Sequence, residues 1–218
     1  MRLIALDTET TGLHSKNGDR IIELAMTEIT RSESPREFHA YFNPQGREIS
    51  PDAFAVHGIS AEFLEDKPTF AERFGEIVDF IDGAPLVIHN APFDLEFIRD
   101  ETLEAGLIWP EVSVIDTLKL ASRERPGKHN SLDALCNWLG IDLSVRTKHS
   151  AIIDTRLLAE VYLRWKGQST LDLTSAPQAA VEAALNAPLP LNPARIALTA
   201  PESLPAAAWE KFFETIKL

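Results

Sequence analysis

Residues 3–9, with the sequence LIALDTE, combine an apolar run with two acidic residues at its end. A short apolar run that opens onto a polar loop is typical of a buried strand. Because side chains two positions apart on a strand point to the same face, Asp7 and Glu9 should project side by side at the end of this strand. A solvated strand end would show the same pattern, so other parts of the sequence must decide between a structural and a chemical role.

Predicted strands come first along the chain, and helices dominate later. Strands are predicted over residues 3–6, 20–30, 37–42, 85–88 and 112–115. Helices are predicted over residues 60–65, 69–81, 92–105, 117–123, 131–139 and 150–166. The helix at 69–81 should begin with a capping box of Thr69 and Glu72, and the helix at 92–105 should bury Phe97 and Leu103. Short connections between the first three strands favour an antiparallel start, and the whole order predicts an α/β fold, a mixed sheet flanked by helices.

A third acidic residue lies in the segment HNAPFD, residues 89–94, directly after a predicted strand. Pro92 suits the first turn of the next helix, and Asn90 is a suitable capping residue. Asp94 then falls in that first turn, where the helix dipole favours a negative charge. Serving the dipole is therefore a sufficient explanation for Asp94 taken alone.

A fourth acidic residue ends the segment HSAIID, residues 149–154. Five positions correspond to about 500° of rotation, so His149 and Asp154 cannot share one face of a regular helix. They converge only if His149 lies on the loop before the helix. The alternative is a loop histidine without a special role and an ion pair between Asp154 and Arg156.

Four carboxylates at one point would suit phosphodiester cleavage with two metal ions about 3.5–4 Å apart. Oxygen ligands favour Mg²⁺ or Mn²⁺. Without cations, each carboxylate pair at about 4 Å would repel by about 4 kcal/mol at an effective dielectric constant of 20. Bound metal is therefore the favoured arrangement if the four converge. A histidine beside them is suited to take a proton from the attacking water, since imidazole titrates near neutral pH.

The composition excludes several classes of protein. Hydrophobic residues make up 44% and charged residues 25% of the 218 residues, which are values of a folded globular chain. The single cysteine, Cys136, excludes an internal disulfide framework and a multi-cysteine zinc site. No apolar run approaches the roughly 20 residues of a membrane span, and the N-terminal apolar stretch is too short for a secretory signal. We therefore expect a cytoplasmic protein without membrane contacts.

The net charge of −12 argues at first against a nucleic-acid partner. Metal ions, however, invert the local sign of a carboxylate cluster. The charge is also uneven, because residues 119–148 contain six Lys or Arg residues against three Asp or Glu residues, a net charge of +3. This stretch is either a surface for phosphates or an ordinary solvated surface.

Residues 168–218 differ in composition from the preceding chain, with six prolines, twelve alanines and no glycine. We therefore predict two regions, a domain over residues 1–167 and a linker with a partner-binding tail over residues 168–218. Apolar residues within 203–217 recur with the period of an amphipathic helix, namely Trp209, Phe212, Phe213 and Ile216.

The three acidic motifs together resemble those of the DEDDh 3'→5' exonucleases, whose fold is ribonuclease-H-like. The segments DTETTGL (7–13), HNAPFD (89–94) and HSAIID (149–154) carry this resemblance. Ala151 stands where the tyrosine-type branch would have its tyrosine, so the histidine branch is the match. Within the superfamily, the chain resembles the epsilon family of proofreading subunits of bacterial DNA polymerase III. Further stretches support this, namely FAVHGI (54–59), KPTF (67–70), PGKHNSLDALC (126–136) and LAEVYL (158–163).

This resemblance implies a metal-dependent 3'→5' exonuclease that hydrolyses 3'-terminal phosphodiesters of single-stranded or frayed DNA. It would release 5'-mononucleotides and proofread for a replicative polymerase. The resemblance implies His149 as the general base and two ions of Mg²⁺ or Mn²⁺ on Asp7, Glu9, Asp94 and Asp154. It also implies a pocket for the 3'-terminal nucleotide, formed by Thr10, Leu13, His57, Asn90 and Phe93. Core packing is the alternative role for Phe93.

The tail has two resemblances of its own. Gln168, Leu171 and Leu173 follow the pattern of short peptides that dock in the sliding clamp, although a plain linker would explain them equally. Residues 195–198 and the helix with Trp209 resemble the epsilon tail that attaches to the catalytic subunit of DNA polymerase III. That helix could instead pack on its own domain.

Two other functions stay open at this point. One is an inactive, exonuclease-like adaptor, which the intact set of five acidic and histidine residues disfavours. The other is a 3' exonuclease for RNA or short oligonucleotides, which the tail disfavours. No dinucleotide-binding glycine motif, phosphate-binding loop or serine-hydrolase elbow is present in the sequence.

Overall fold

The structure is a computed structural model that describes residues 2–32, 34–144, 146 and 148–174, and for residues 168–174 the backbone alone. Its strands are β1 (Ile4–Thr10), β2 (Ile21–Glu28), β3 (Glu37–Tyr41), β4 (Leu86–Ile88) and β5 (Val114–Asp116). Its helices are α1 (Pro51–His57), α2 (Ala61–Leu64), α3 (Phe70–Ile81), α4 (Ala91–Glu104), α5 (Thr117–Glu124), α6 (Leu132–Leu139) and α7 (Ala151–Thr174).

The strands form one mixed sheet in the order β3-β2-β1-β4-β5. The first three strands are antiparallel neighbours, whereas β4 pairs in parallel with β1 and with β5. Helices cover both faces of this sheet. The predicted α/β fold, with an antiparallel start followed by parallel strands and flanking helices, is therefore confirmed.

Alternation along β1 divides the core into two halves. Ile4 and Leu6 pack into the half that contains α3 and α4. Ala5 packs into the other half, which contains residues of α5, α6 and α7. Asp7 and Glu9 continue the series that begins with Ala5, so they face α7.

A crevice opens where β1 and β4 separate. The parallel pairing is limited to Ile4 with Leu86 and Ala5 with Val87, because β4 ends at Ile88 and the chain then enters α4. Beyond Ala5, the β4-facing edge of β1 has no strand partner. The carboxyl ends of β1 and β4 therefore border an opening of the kind in which α/β proteins bind ligands.

The structure differs from the sequence-based predictions at two helices. Helix α1 was not predicted, although Ser50 caps it by accepting a hydrogen bond from Ala53 N and Pro51 lies in its first turn. Leu103 is 68% exposed, so the prediction that α4 buries it is wrong; α4 packs on the core through Phe97 instead. The capping box of Thr69 and Glu72 at α3 is confirmed.

The last described helix, α7, is longer than predicted. It continues through the predicted boundary near residue 167 and ends at Thr174, where the first compact unit of the chain also ends. The division into a domain and a tail stays a prediction, since residues 175–218, including the predicted helix at 203–217, lie outside the described residues. Among the described helices, none is long and apolar enough to cross a membrane.

Candidate active site

Asp94 reaches the end of β1 from the opposite face of the sheet. Its Oδ1 atom accepts hydrogen bonds from Thr8 N at 3.1 Å and from Thr8 Oγ1 at 2.8 Å. The backbone N–H of Thr8 is available for this contact because β4 has already ended at Ile88. The gap between the two strands thus places Asp94 beside Asp7 and Glu9.

The start of α4 differs from the expectation in one respect. Asn90 occupies the N-cap position with a left-handed backbone (φ 68°), and its side chain makes no capping hydrogen bond, so the predicted side-chain cap is wrong. Asparagine tolerates this conformation better than most residues. Pro92 and Asp94 do lie in the first turn, as predicted.

His149 lies on the loop before α7, which begins at Ala151, and Asp154 lies in the first turn of that helix. Nδ1 of His149 is 3.3 Å from Oδ2 of Asp154. Because five positions of a helix turn two side chains to different faces, His149 and Asp154 can meet only if His149 lies outside the helix. The alternative ion pair between Asp154 and Arg156 is wrong, because Arg156 binds Glu37 at 2.6 Å.

Arg146 supplies a positive charge that the sequence analysis did not assign. Its Nη2 atom donates to Asp154 Oδ2 at 2.6 Å and lies 2.8 Å from Nδ1 of His149. Its Nη1 atom pairs with Asp133. Because the side chains of Arg146 and Asp154 are only 7% and 5% exposed, this is a buried ion pair.

The two partners of His149 favour opposite tautomers of the imidazole. The Arg146 guanidinium can only donate, so its contact requires an unprotonated Nδ1. The Asp154 carboxylate can only accept, so a hydrogen bond to it requires a proton on Nδ1. In the second tautomer Nε2 carries a lone pair and is free to accept a proton.

Burial, together with nearby carboxylates, raises the pKa values of the acidic groups at this site. Burial, followed by repulsion from Asp94, Asp154 and Glu9, raises the pKa of Asp7 well above its usual range. Burial and the charge of Glu23 raise the pKa of Glu9 to about 8. Burial also raises the pKa of Asp94 to about 7, although the hydrogen bonds from Thr8 act in the opposite direction. The protein by itself thus disfavours the ionised state that metal binding requires.

The donors present fit divalent metal ions. Oδ1 of Asp154 is buried and has no hydrogen-bond partner among the described residues. Ligand atoms of Glu9, His149 and Asp154 lie within 4.8 Å of one another, close enough to share one ion. Cations would relieve the repulsion between the carboxylates, and oxygen donors with one imidazole suit Mg²⁺ or Mn²⁺.

A cavity of about 230 Å³ lies at this cluster and is lined partly by residues that the sequence analysis did not select. The neglected lining residues are His89, Ser131, Leu132, Asp133 and Arg146. His89 and residues 131–133 belong to the quoted motifs, so the resemblance contained a signal for them. Arg146 gave no signal, because one arginine on a loop is usually solvated.

Glu23 is a further acidic residue that sequence reasoning missed. It lies opposite Glu9 on β2 and is fully buried. Its Oε1 atom is 2.7 Å from Nε2 of His39 and accepts from Ser150 Oγ at 2.9 Å. Glu23 therefore connects β3 to the residue next to His149. The available signal was an acidic residue inside an otherwise apolar strand.

The residues expected to bind the terminal nucleotide occupy different environments. Leu13 is 71% exposed, whereas Thr10 is buried and donates to Gly12 O. Phe93 is partly buried and contacts Phe97, with ring centroids 5.0 Å apart. Asn90, the fifth expected residue, is exposed.

His57 is the member of this group with an unused polar atom. Burial lowers the pKa of His57, which favours the neutral imidazole. Its Nδ1 atom accepts from Ile59 N at 2.9 Å, so the proton lies on Nε2, which has no partner among the described residues. His57 thus offers one free donor.

Comparison with known proteins identifies the family. A family described as exonuclease matches residues 4–162. The DNA polymerase III subunit epsilon of Escherichia coli K12 is 47% identical over 178 residues, which cover 78% of this chain and 73% of that protein. The chain belongs to the epsilon-subunit family of DNA polymerase III. The predicted recognition and the predicted 3'→5' proofreading exonuclease activity are thereby confirmed.

Solved structures of other exonucleases share the epsilon-type fold of this chain. Exonuclease X in complex with 5' overhanging duplex DNA has 26% identity and a TM-score of 0.59, over 77% of this chain and 93% of that chain. The nuclease domain of 3'hExo, a DEDDh family member bound to rAMP, has 18% identity and a TM-score of 0.67, over 77% of this chain and 92% of that chain. Membership in the exonuclease family, together with the ligand atoms of Glu9, His149 and Asp154, implies divalent metal ions as cofactors.

We expect the stability of the metal-free protein to fall as the pH rises from about 6 to about 9. Below the raised pKa values of Asp94, about 7, and Glu9, about 8, the folded protein binds protons that the unfolded chain has already released. Raising the pH therefore favours the unfolded state until both carboxyl groups are ionised. Chemical denaturation in EDTA at several pH values measures this slope. Glu9→Gln should flatten it, and an equal slope in that variant would contradict the assignment.

Arg146→Gln should destabilise the metal-free protein by about 3 kcal/mol, because it leaves the buried carboxylate of Asp154 without a cation. Millimolar Mn²⁺ should restore much of this loss. Arg156→Gln is the matched control, since it breaks an exposed ion pair worth less than about 1 kcal/mol. Denaturation curves with EDTA and with Mn²⁺ measure both variants. A loss in Arg146→Gln that Mn²⁺ leaves unchanged would argue against this role.

Proposed function

We propose that this epsilon-family chain removes mispaired 3'-terminal nucleotides from DNA, with its catalytic centre at the end of β1. One observation carries the proposal. Asp7 of β1 and Asp154 of α7 line one cavity, and Asp94 of α4 is bound to Thr8, the residue between Asp7 and Glu9, although burial raises the pKa values of Asp7, Glu9 and Asp94. A folded protein keeps such an unfavourable cluster where function requires it.

Asp7, Glu9, Asp94 and Asp154 would hold two divalent ions, Mg²⁺ or Mn²⁺. Such ions, when bound, polarise the scissile phosphate and lower the pKa of the attacking water. The orphaned Asp154 Oδ1 supports this role, since the other oxygen of the same carboxylate is already bound by Arg146. Carboxylates alone would suit Mg²⁺, whereas a contribution from His149 would favour Mn²⁺.

His149 would accept the proton of the attacking water. Its side chain is 50% exposed, so water reaches the ring. A hydrogen bond from Nδ1 to Asp154 Oδ2, across the present 3.3 Å, would orient the imidazole with Nε2 as the base. The contact of Arg146 with Nδ1 opposes this tautomer, so Arg146 would release His149 before each proton transfer.

The 3'-terminal nucleotide would bind beside these groups. The exposed Leu13 and the partly buried Phe93 offer apolar contacts to a base. The buried Nε2–H of His57, which has no partner among the described residues, would donate to an oxygen of the nucleotide. Thr10 and Asn90 complete the proposed pocket. A mispaired end costs less to unstack than a paired end, so it would enter this pocket more often.

The polymerase and DNA ends would be the partners of this cytoplasmic protein. The relatives are named as subunits of DNA polymerase III, which supports association with its catalytic subunit. We place that contact in the tail, on a helix with Trp209, Phe212, Phe213 and Ile216. Gln168, Leu171 and Leu173 would contact the sliding clamp. The backbone of residues 168–173 belongs to α7 in the structure, so clamp binding would need this end of the helix to unwind.

Asp7→Asn and Asp154→Asn should abolish the release of mononucleotides from a 3'-mismatched primer in Mg²⁺, while circular dichroism still shows a folded protein. His149→Ala should reduce the rate by about 10²–10⁴-fold with little change in metal affinity. The exposed residue Asp142 provides the control variant Asp142→Asn, which should behave as wild type. Full activity in either aspartate variant refutes the catalytic assignment. A faster reaction on a matching RNA oligonucleotide would point to the RNA alternative.

Deletion of residues 199–218 should abolish co-purification with the polymerase catalytic subunit and spare hydrolysis of free primers. The double variant Trp209→Ala/Phe212→Ala in the full-length chain is a smaller change than the deletion. It should weaken the same association. Undiminished association in both variants would exclude the tail as the attachment site.

A further inference from the structure

Positive charges without an acidic partner are concentrated in one part of this acidic chain. Eleven Lys and Arg residues among the described residues form ion pairs with carboxylates. The described part of the chain contains seven others with no such pair, and five of these fall within residues 119–148. The seven are Arg31, Arg36, Lys119, Arg123, Arg125, Lys128 and Lys148. Cations that serve no ion pair within the protein are available for an external anion.

Two of the unpaired cations lie close in sequence to residues that line the catalytic cavity. Lys148 directly precedes His149, and Lys128 precedes Ser131 by three residues; both His149 and Ser131 line the cavity. A turn holds Lys128 in place, since its backbone N donates to Arg125 O at 3.3 Å. Lys128 is therefore an exposed positive charge on a hydrogen-bonded turn that leads into the segment lining the cavity.

Helix α5, which directly precedes this turn in sequence, carries two further unpaired cations. Lys119 and Arg123 are exposed and four residues apart, so they share one face of the helix. The guanidinium of Arg125 lies 4.4 Å from the ring centroid of Trp138, an indole that is 44% exposed. Arg125 is half-buried, whereas Lys119 and Arg123 are exposed. Cations together with an accessible aromatic ring are the combination with which proteins bind a single nucleic-acid strand.

We propose that Lys119, Arg123, Arg125 and Lys128 form a basic track for the phosphates of the DNA strand upstream of its 3'-terminal nucleotide. The proposal rests on the exonuclease function and extends it to the part of the substrate that is not cleaved. Since the whole chain carries a net charge of −12, a polyanion is repelled elsewhere and guided to this track. Each phosphate that the track neutralises releases counterions, so its contribution depends on salt.

The test compares two double variants with the same change in charge. Arg123→Glu/Lys128→Glu alters the basic track. Arg31→Glu/Arg36→Glu alters unpaired cations next to Glu28 and Ile29, which pair with the start of β1 rather than with its catalytic end. The substrates are a 20-nucleotide single strand and a dinucleotide, which have the same cleavable bond but differ in the length that reaches the track. The measurements are KM and kcat in Mg²⁺ over a range of salt concentrations.

In the track variant, we expect kcat/KM for the 20-nucleotide strand to fall relative to that for the dinucleotide. The slope of log KM against log salt concentration for the longer strand should decrease by about 1.4, since each lost contact with a single strand contributes about 0.7. The control variant should retain the wild-type ratio and slope.

Three results would overturn the basic track. They are a wild-type ratio in the track variant, an equal loss in both double variants, and an equal loss on both substrates. If the wild-type protein cleaves neither substrate, the proposed function fails instead. Fluorescence anisotropy of the labelled 20-nucleotide strand then still decides whether the track variant binds it more weakly than the control variant does.

Discussion

Electrostatic repulsion between buried carboxylates is the constraint on which the site depends. Asp7 and Glu9 project from β1, and Asp94 and Asp154 reach them from the two opposite faces of the sheet. In a medium of low dielectric constant, such charges raise the pKa of one another and oppose folding in the ionised state. Bound cations make the arrangement favourable. Features that raise the affinity for metal ions therefore lower the stability of the metal-free protein.

The surrounding structure offsets part of this repulsion. Thr8 donates two hydrogen bonds to Asp94, and Arg146 pairs with Asp154. The contact with Arg146 satisfies Oδ2 of Asp154 and leaves its Oδ1 without a partner among the described residues. Glu23 has the opposite effect, because its buried charge raises the pKa of Glu9 and increases the demand for a cation. The protein therefore fixes its acidic side chains without neutralising them.

Charge is also distributed unevenly over the surface. Among the described residues, eleven of the eighteen Lys and Arg residues form ion pairs, such as Arg20 with the buried Glu101. Of the seven described cations without an acidic partner, five fall within residues 119–148, where Lys148 directly precedes the cavity residue His149. An acidic protein can in this way attract a polyanionic strand to one edge and repel it from the others.

Much of this molecule followed from the sequence by itself. Local patterns determined the capping box at Thr69, the strand that ends in Asp7 and Glu9, and the position of His149 outside α7. Such features depend only on hydrogen bonds and periodicity within a few residues. The tertiary structure decided the rest. The side-chain roles of Arg146 and Glu23 depend on partners such as Asp133 and Ser150, which are distant in sequence, and the left-handed start of α4 at Asn90 depends on where β4 ends. Packing sets such contacts between separate segments, and no pattern within one segment encodes their distances.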